Sequence, residues 1–227
     1  MKNIFILLVL IIIFDSCKKA DAAATELCDD CVTFYFENPQ PDNDSELNGF
    51  PSKFKGLYMN NDSTYIRIEE DRILSEYFYK FKVHKNYLDT LKQGFDLINN
   101  QLIDKETHEK WISTQKGDSL ELSKINIDTL FRFSLNQKAK RINGQLVLST
   151  RDSIFWNIKT IALEKNILKI KRIYRLTDLT KLDSITSIKG KELDSISYLI
   201  KPTRREFKNI LKIKNLGTDK EYDKLSK

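Results

Sequence analysis

Histidine is nearly missing from this chain: 227 residues carry only His84 and His108. Two imidazoles leave little for general-base catalysis or a zinc site, and neither lies in an HExxH pattern, whose spacing puts two ligands on one helical face. His84 continues an alternating strand and reads as a sheet-face residue. His108, within Lys105-Glu106-Thr107-His108-Glu109, reads as solvated. Glycine is also scarce, at 7 residues. No Walker loop, dinucleotide fingerprint or GxSxG elbow is present, so backbone phosphate cradles and a nucleophile elbow are not expected. No catalytic residue, metal ligand or cofactor is assigned. Paired carboxylates of the glycosidase kind converge only in a fold, which keeps a carboxylate-dependent hydrolase as an alternative. The densest acidic run, Glu69-Glu70-Asp71, falls at a turn and reads as solvated.

Long hydrophobic runs are missing too. The longest, Ile4 to Phe14, rises about 1.5 Å per residue as a helix and is too short for a hydrocarbon core of about 30 Å. Preceded by Lys2 and followed by Asp15-Ser16-Cys17, it has the order of a secretory signal. Phe14-Asp15-Ser16-Cys17-Lys18-Lys19 resembles the lipobox of bacterial lipoproteins, in the looser Ser-Cys-Lys-Lys form found in Bacteroidota. The resemblance implies removal of residues 1–16, lipid (palmitate) on Cys17 and, with Lys18 after the cysteine, an address at the outer membrane of the cell envelope. Residues 17–31 then form the anchor and tether, with Lys18 to Leu27 rich in Ala and charge. Each buried methylene of an acyl chain contributes about 0.8 kcal/mol, so several chains anchor firmly.

The other cysteines, Cys28 and Cys31, flank Asp29 and Asp30. A reactive CxxC pair needs a positive setting or a helix N-terminus, and two aspartates act the other way. The pair reads as a small structural disulfide in an oxidising compartment, ahead of a redox or metal role. The formal charge is +6, and loss of residues 1–16 leaves it unchanged because Lys2 and Asp15 go together. A basic balance attracts anions at long range. The basic residues are interleaved with acids and form no block, so they read as solvating a half-apolar sheet, and nucleic acid is not an expected partner.

From Val32 onward the patterning is that of one mainly β domain, 32–227. Val32, Phe34 and Phe36 alternate, and Asn38 to Pro51 reads as a loop. Strands are predicted over Phe54 to Met59 and Thr64 to Glu69. Tyr77, Tyr79, Phe81 and Val83 then face one side, with Phe78, Lys80, Lys82 and His84 on the other. Leu88, Leu91, Phe95, Ile98 and Leu102 recur at helical spacing, which predicts a helix over Tyr87 to Leu102. Strands are expected at Lys110 to Thr114, Ser119 to Ser123 and Thr129 to Leu135. Asn143-Gly144 marks a hairpin. Another joins Ser153 to Leu163 with Ile167 to Tyr174, where the alternation slips after Ile158 and suggests a bulge. Smaller pieces follow at Asp178 to Leu182 and Leu193 to Lys201. Thr203-Arg204-Arg205-Glu206 fits a capping box opening a C-terminal helix, and the last ten or so residues read as frayed. Asp followed by Ser or Thr at Asp89, Asp118, Asp128, Asp152, Asp183 and Asp194, with a variant at Asp62, reads as turn-to-strand junctions.

The expected fold is an antiparallel β-barrel or β-sandwich with one or two short helices. Trp111 and Trp156, with Tyr58, Tyr65, Tyr77 and Tyr79, pack a sheet core or line a pocket. The candidate ligand-lining set is Tyr77, Tyr79, Phe81, Phe133 and Trp156. The functional expectation is a non-catalytic envelope lipoprotein that binds a small apolar or glycan ligand. The alternative is an accessory subunit for envelope protein partners, which the sequence does not identify.

Overall fold

Alternating apolar and polar residues build fifteen strands into one mixed sheet among the residues that the computed structural model describes, 30–185 and 189–225. The chain divides into two compact units, 1–31 and 32–227. In the first, Cys31 is disulfide-bonded; Cys17, Cys28 and the tether lie outside the described residues. Among the described residues no helix is long and apolar enough to cross a membrane.

In the second unit, β1 (Thr33–Phe36) precedes a meander of β2 (Gly56–Met59), β3 (Tyr65–Ile68) and β4 (Arg72–His84). Helix α1 (Leu88–Gly94) leads to β5 (Phe95–Ile98), β6 (Gln101–Asp104), β7 (Lys110–Lys116) and β8 (Ser119–Arg132). Then come β9 (Gln137–Ile142), β10 (Gln145–Asp152), β11 (Phe155–Glu164) and β12 (Ile167–Arg172). The chain continues with α2 (Leu176–Ile185), β13 (Lys191–Asp194), β14 (Ser197–Ile200), α3 (Arg204–Ile210) and β15 (Thr218–Lys224).

The strand order is β13-β14-β1-β11-β12-β15-β2-β3-β4-β8-β7-β6-β5, with β10 on the opposite edge of β11 and β9 beyond it. All pairings are antiparallel except β1 with β14. The strands from β9 through β11, β12, β15 and β2 to β4 and β8 curl around a core, but β8 and β9 do not pair as strands. Their connection carries a single bridge, Ser134 to Gln137, so the sheet stays open at this seam.

Strand β10 explains the packing. Leu146, Val147, Leu148 and Ser149 are buried in succession, so both of its faces are covered. Leu146 and Leu148 join Phe50, Tyr58, Ile66, Ile73, Phe131 and Leu168 in one core. Val147 faces the other way, into a core of Phe34, Phe36, Trp156, Ile200 and the α3 residues Phe207 and Ile210. Helix α3 is fixed at its start by the expected capping box: Thr203 accepts from the Glu206 amide, and Glu206 accepts from the Thr203 amide.

Several expectations are corrected. The helix predicted over Tyr87 to Leu102 stops at Gly94 because Asn99 and Asn100, at φ 51° and 61°, make the turn of a β5–β6 hairpin. Ser119 to Ser123 and the start of the next predicted strand are one continuous β8. The alternation slip after Ile158 is no bulge. The β10–β11 register runs unbroken from Asp152 opposite Phe155 to Leu146 opposite Ile161, and the slip arises because β11 serves both cores. Asp178 to Leu182 is helical, within α2. Residues 218–224 are not frayed: as β15 they sit between β12 and β2, with Tyr222 buried. Of the Asp-Ser/Thr sites, Asp118, Asp152 and Asp194, with the variant Asp62, lie at turns beside strands, whereas Asp128 is inside β8 and Asp89 and Asp183 are helical.

Buried Tyr58 donates its hydroxyl to the Phe54 carbonyl at 2.8 Å, and burial pushes its pKa up from 10.0 to about 12. The unfolded chain loses this proton first, so the stabilisation is fully present below pH 10.0 and is lost as pH rises toward about 12. Chemical denaturation across that window is expected to show falling stability, with a shallower fall in Tyr58→Phe.

Candidate functional site

The five residues selected from the sequence do not converge. Phe133 packs with Phe50 and Phe131, at ring separations of 4.9 and 5.3 Å, as part of the first core. Trp156 is buried in the second. Tyr77 is half-buried, with its hydroxyl 3.5 Å from the Asn126 amide. Tyr79 and Phe81 do meet, and Trp111 joins them at 5.8 and 5.1 Å. Cross-strand register puts this cluster on the face of β4 that carries Ile73 into the first core, beyond where that core ends. The Lys124 ammonium lies 4.7 Å from the Trp111 ring centre and 2.6 Å from Glu109. This is an exposed cluster with its cation already paired, without an enclosing wall.

A cleft of about 270 Å³ lies elsewhere, beside the seam between β8 and β9. Two features of the chain create it. First, one edge of β11 is divided. Trp156 pairs with Phe36 of β1, and from Lys159 onward the same edge pairs with β12. Between them the strands fork, held at the far side by the Val32 amide donating to the Tyr174 carbonyl at 2.7 Å. Second, β8 carries a bulge: Ile73 pairs with Phe131 and Leu74 with Thr129, so Leu130 has no cross-strand partner. Bulges re-aim side chains, and Leu130 lines the cleft.

The lining has three parts. Val32, Phe34, Phe36, Ile158 and Ile173 supply an apolar wall, and Gln137, Thr150 and Asn157 form one cross-strand row of polar groups. Lys159 and Arg172, paired across β11 and β12, supply cations. Among the described residues no carboxylate lines the cleft. The nearby Asp152 is engaged by the Tyr35 hydroxyl at 3.0 Å and the Asn157 amide at 3.4 Å.

Lys159 has no hydrogen-bond or ion-pair partner among the described residues, and Arg172 has only the Tyr174 ring, 5.7 Å away. Alternate residues on β12 behave differently: Lys169 is bound by Glu164 and Glu221, and Lys171 by Asp219. Buried Lys140 also contrasts, since its ammonium donates to the carbonyls of Pro39 and Pro41 at 3.0 and 2.9 Å. Protein surrounding Lys159 pushes its pKa down, and Arg172 and Lys220 add like charge in the same sense. The residue is nevertheless exposed, because the space around it is the open cleft, and water there screens much of this effect.

Sequence reasoning missed Lys159 and Arg172. The available signal was the lysine at the slip in Ile158-Lys159-Thr160-Ile161, on the side of the strand that Ile161 buries. Among the described residues no group of three or more His, Cys, Asp or Glu side chains is placed to hold a metal ion. No protein-family model, curated protein or solved structure matches the chain.

Because the folded state disfavours the Lys159 ammonium, the unfolded chain binds more protons between the lowered pKa and 10.5, and stability rises with pH across that window. Because water screens this exposed side chain, Lys159→Met is expected to raise the thermal midpoint at neutral pH only slightly, with the advantage shrinking as pH approaches 10.5. Thermal scans of both proteins at several pH values check this; a variant less stable at neutral pH would contradict it.

Proposed function

We propose that this chain is a lipid-anchored protein of the bacterial envelope that binds a small, partly apolar ligand without catalysis, in the cleft beside the β8–β9 seam. The observation that carries the reading is the lining of that cleft: an apolar wall from β1 and β11 facing a row of hydrogen-bonding side chains, Gln137, Thr150 and Asn157. Ligand sites characteristically combine such a wall with a few polar groups that fix orientation. The volume, about 270 Å³, is near the lower end of such sites, about 300 Å³. That selects a small lipid-like molecule or a short glycan with an apolar substituent over a long chain.

The anchor in this proposal rests on the signal and the lipobox-like segment ending at Cys17, and the outer-membrane address on Lys18. Cys17→Ser is expected to abolish incorporation of labelled palmitate into the chain in envelope-bearing cells; undiminished labelling would refute the anchor.

The ligand reading is tested by native mass spectrometry of the full chain recovered from envelopes, beside Thr150→Trp, whose indole fills the cleft. The wild type is expected to carry a co-purifying small molecule that the variant retains at least about tenfold less, a loss of about 1.4 kcal/mol, with the thermal midpoint nearly unchanged. Equal retention would contradict the reading.

A second reading, an accessory subunit for envelope proteins, is favoured by one feature. Phe78, Ile112, Ile125 and Ile127 share the other face of the β4–β8–β7 arm and are 42%, 52%, 56% and 60% exposed. Exposed apolar patches of this kind mark interaction surfaces.

A further inference from the structure

We propose that the cleft selects ligands bearing an anionic group, a carboxylate or a phosphate monoester, seated between the Lys159 ammonium and the Arg172 guanidinium. This inference rests on the cleft being a ligand site and adds the chemistry of the headgroup.

Three observations carry it. Lys159 and Arg172 stand opposite each other in register on β11 and β12 and both line the cleft. Neither has a carboxylate within ion-pair distance among the described residues, although neighbouring Lys169 and Lys171 on β12 are both neutralised. Among the described residues the cleft lining contains no acidic residue, and Asp152 is bonded to Tyr35 and Asn157.

Lys159 and Arg172 are both exposed on the cleft wall, and two adjacent like charges repel, a repulsion that water screens in part and a bound anion relieves. The sheet could have placed an acid beside them, as it does for Lys169. An incoming anion supplies the missing charge, accepting from the ammonium and from the planar guanidinium fork, which matches carboxylate and phosphate oxygens. The polar row of Gln137, Thr150 and Asn157 lies next to the Lys159–Arg172 pair on the same sheet face. The apolar part of the ligand then lies against Phe34, Ile158 and Ile173, across the fork.

The test is acylation of lysines in the full chain by acetic anhydride, read peptide by peptide by mass spectrometry. The chain is treated alone or with octanoate, octyl phosphate or octanol, and exposed Lys110, on β7, serves as the internal control. Octanoate or octyl phosphate is expected to slow modification of Lys159 at least about fivefold relative to Lys110, with octanol having no effect. The more protective anion identifies the source as a fatty carboxylate or a phosphate ester. Arg172→Gln is expected to raise the half-protecting concentration about tenfold, the scale of a charge-assisted hydrogen bond. Equal protection by octanol and the anions would overturn the anion seat and leave the cleft as a ligand site. Protection by none would overturn both.

Discussion

One strand edge cannot pair with two neighbours at the same residues, and that constraint at β11 shapes the rest of this molecule. The edge opposite β10 is taken by β1 at Trp156 and by β12 from Lys159. β1 carries its parallel partner β14 and then β13. β12 leads through β15 into the meander that surrounds the other core. The two branches must diverge, and the space between them is the cleft. The same divergence explains why the sheet does not close: β8 and β9 meet only at a turn, where Leu130 and Gln137 border the opening.

Branching also demands a strand buried on both sides, which is the role of β10. Its unbroken run Leu146-Val147-Leu148 faces the two cores alternately, the pattern expected of a strand covered on both faces. Polar groups caught near this double core are dealt with individually. Ser149 accepts from the Gln40 amide at 3.1 Å, and Lys140 is capped by two carbonyls. Lys159 differs from these: it is exposed to solvent on the cleft wall and has no acid beside it. Its neighbours Lys169 and Lys171 on β12 are both ion-paired, so the unmatched Lys159–Arg172 pair marks the cleft as the place where an anion would be drawn.

Legibility from the sequence followed the range of the interaction. Features set by neighbouring residues were readable: the alternation of Phe34 and Phe36, the Asn143-Gly144 turn, the Thr203 capping box, the loop before Pro51. Features set by long-range pairing were not. Helical spacing at Leu88, Leu91, Phe95 and Ile98 could not reveal that Asn99-Asn100 would fold the second half back as a hairpin. Residues 218–224 look polar and terminal, yet β12 and β2 recruit them as an interior strand. The candidate aromatics were chosen as large surfaces able to line a pocket. Phe133 and Trp156 serve packing instead and Tyr79 and Phe81 lie in an exposed cluster, while the cations of the cleft, Lys159 and Arg172, are thirteen residues apart in the chain and become neighbours only through the β11–β12 register.

The most direct test of this account is a nuclear magnetic resonance titration of the full chain with octyl phosphate, following backbone amides and lysine side chains. Perturbations confined to Thr150, Asn157, Lys159, Arg172 and Ile173 are the result the branched-sheet cleft predicts. Perturbations centred on Tyr79, Phe81 and Trp111, with the β11–β12 residues silent, would contradict it and move the binding surface to the arm.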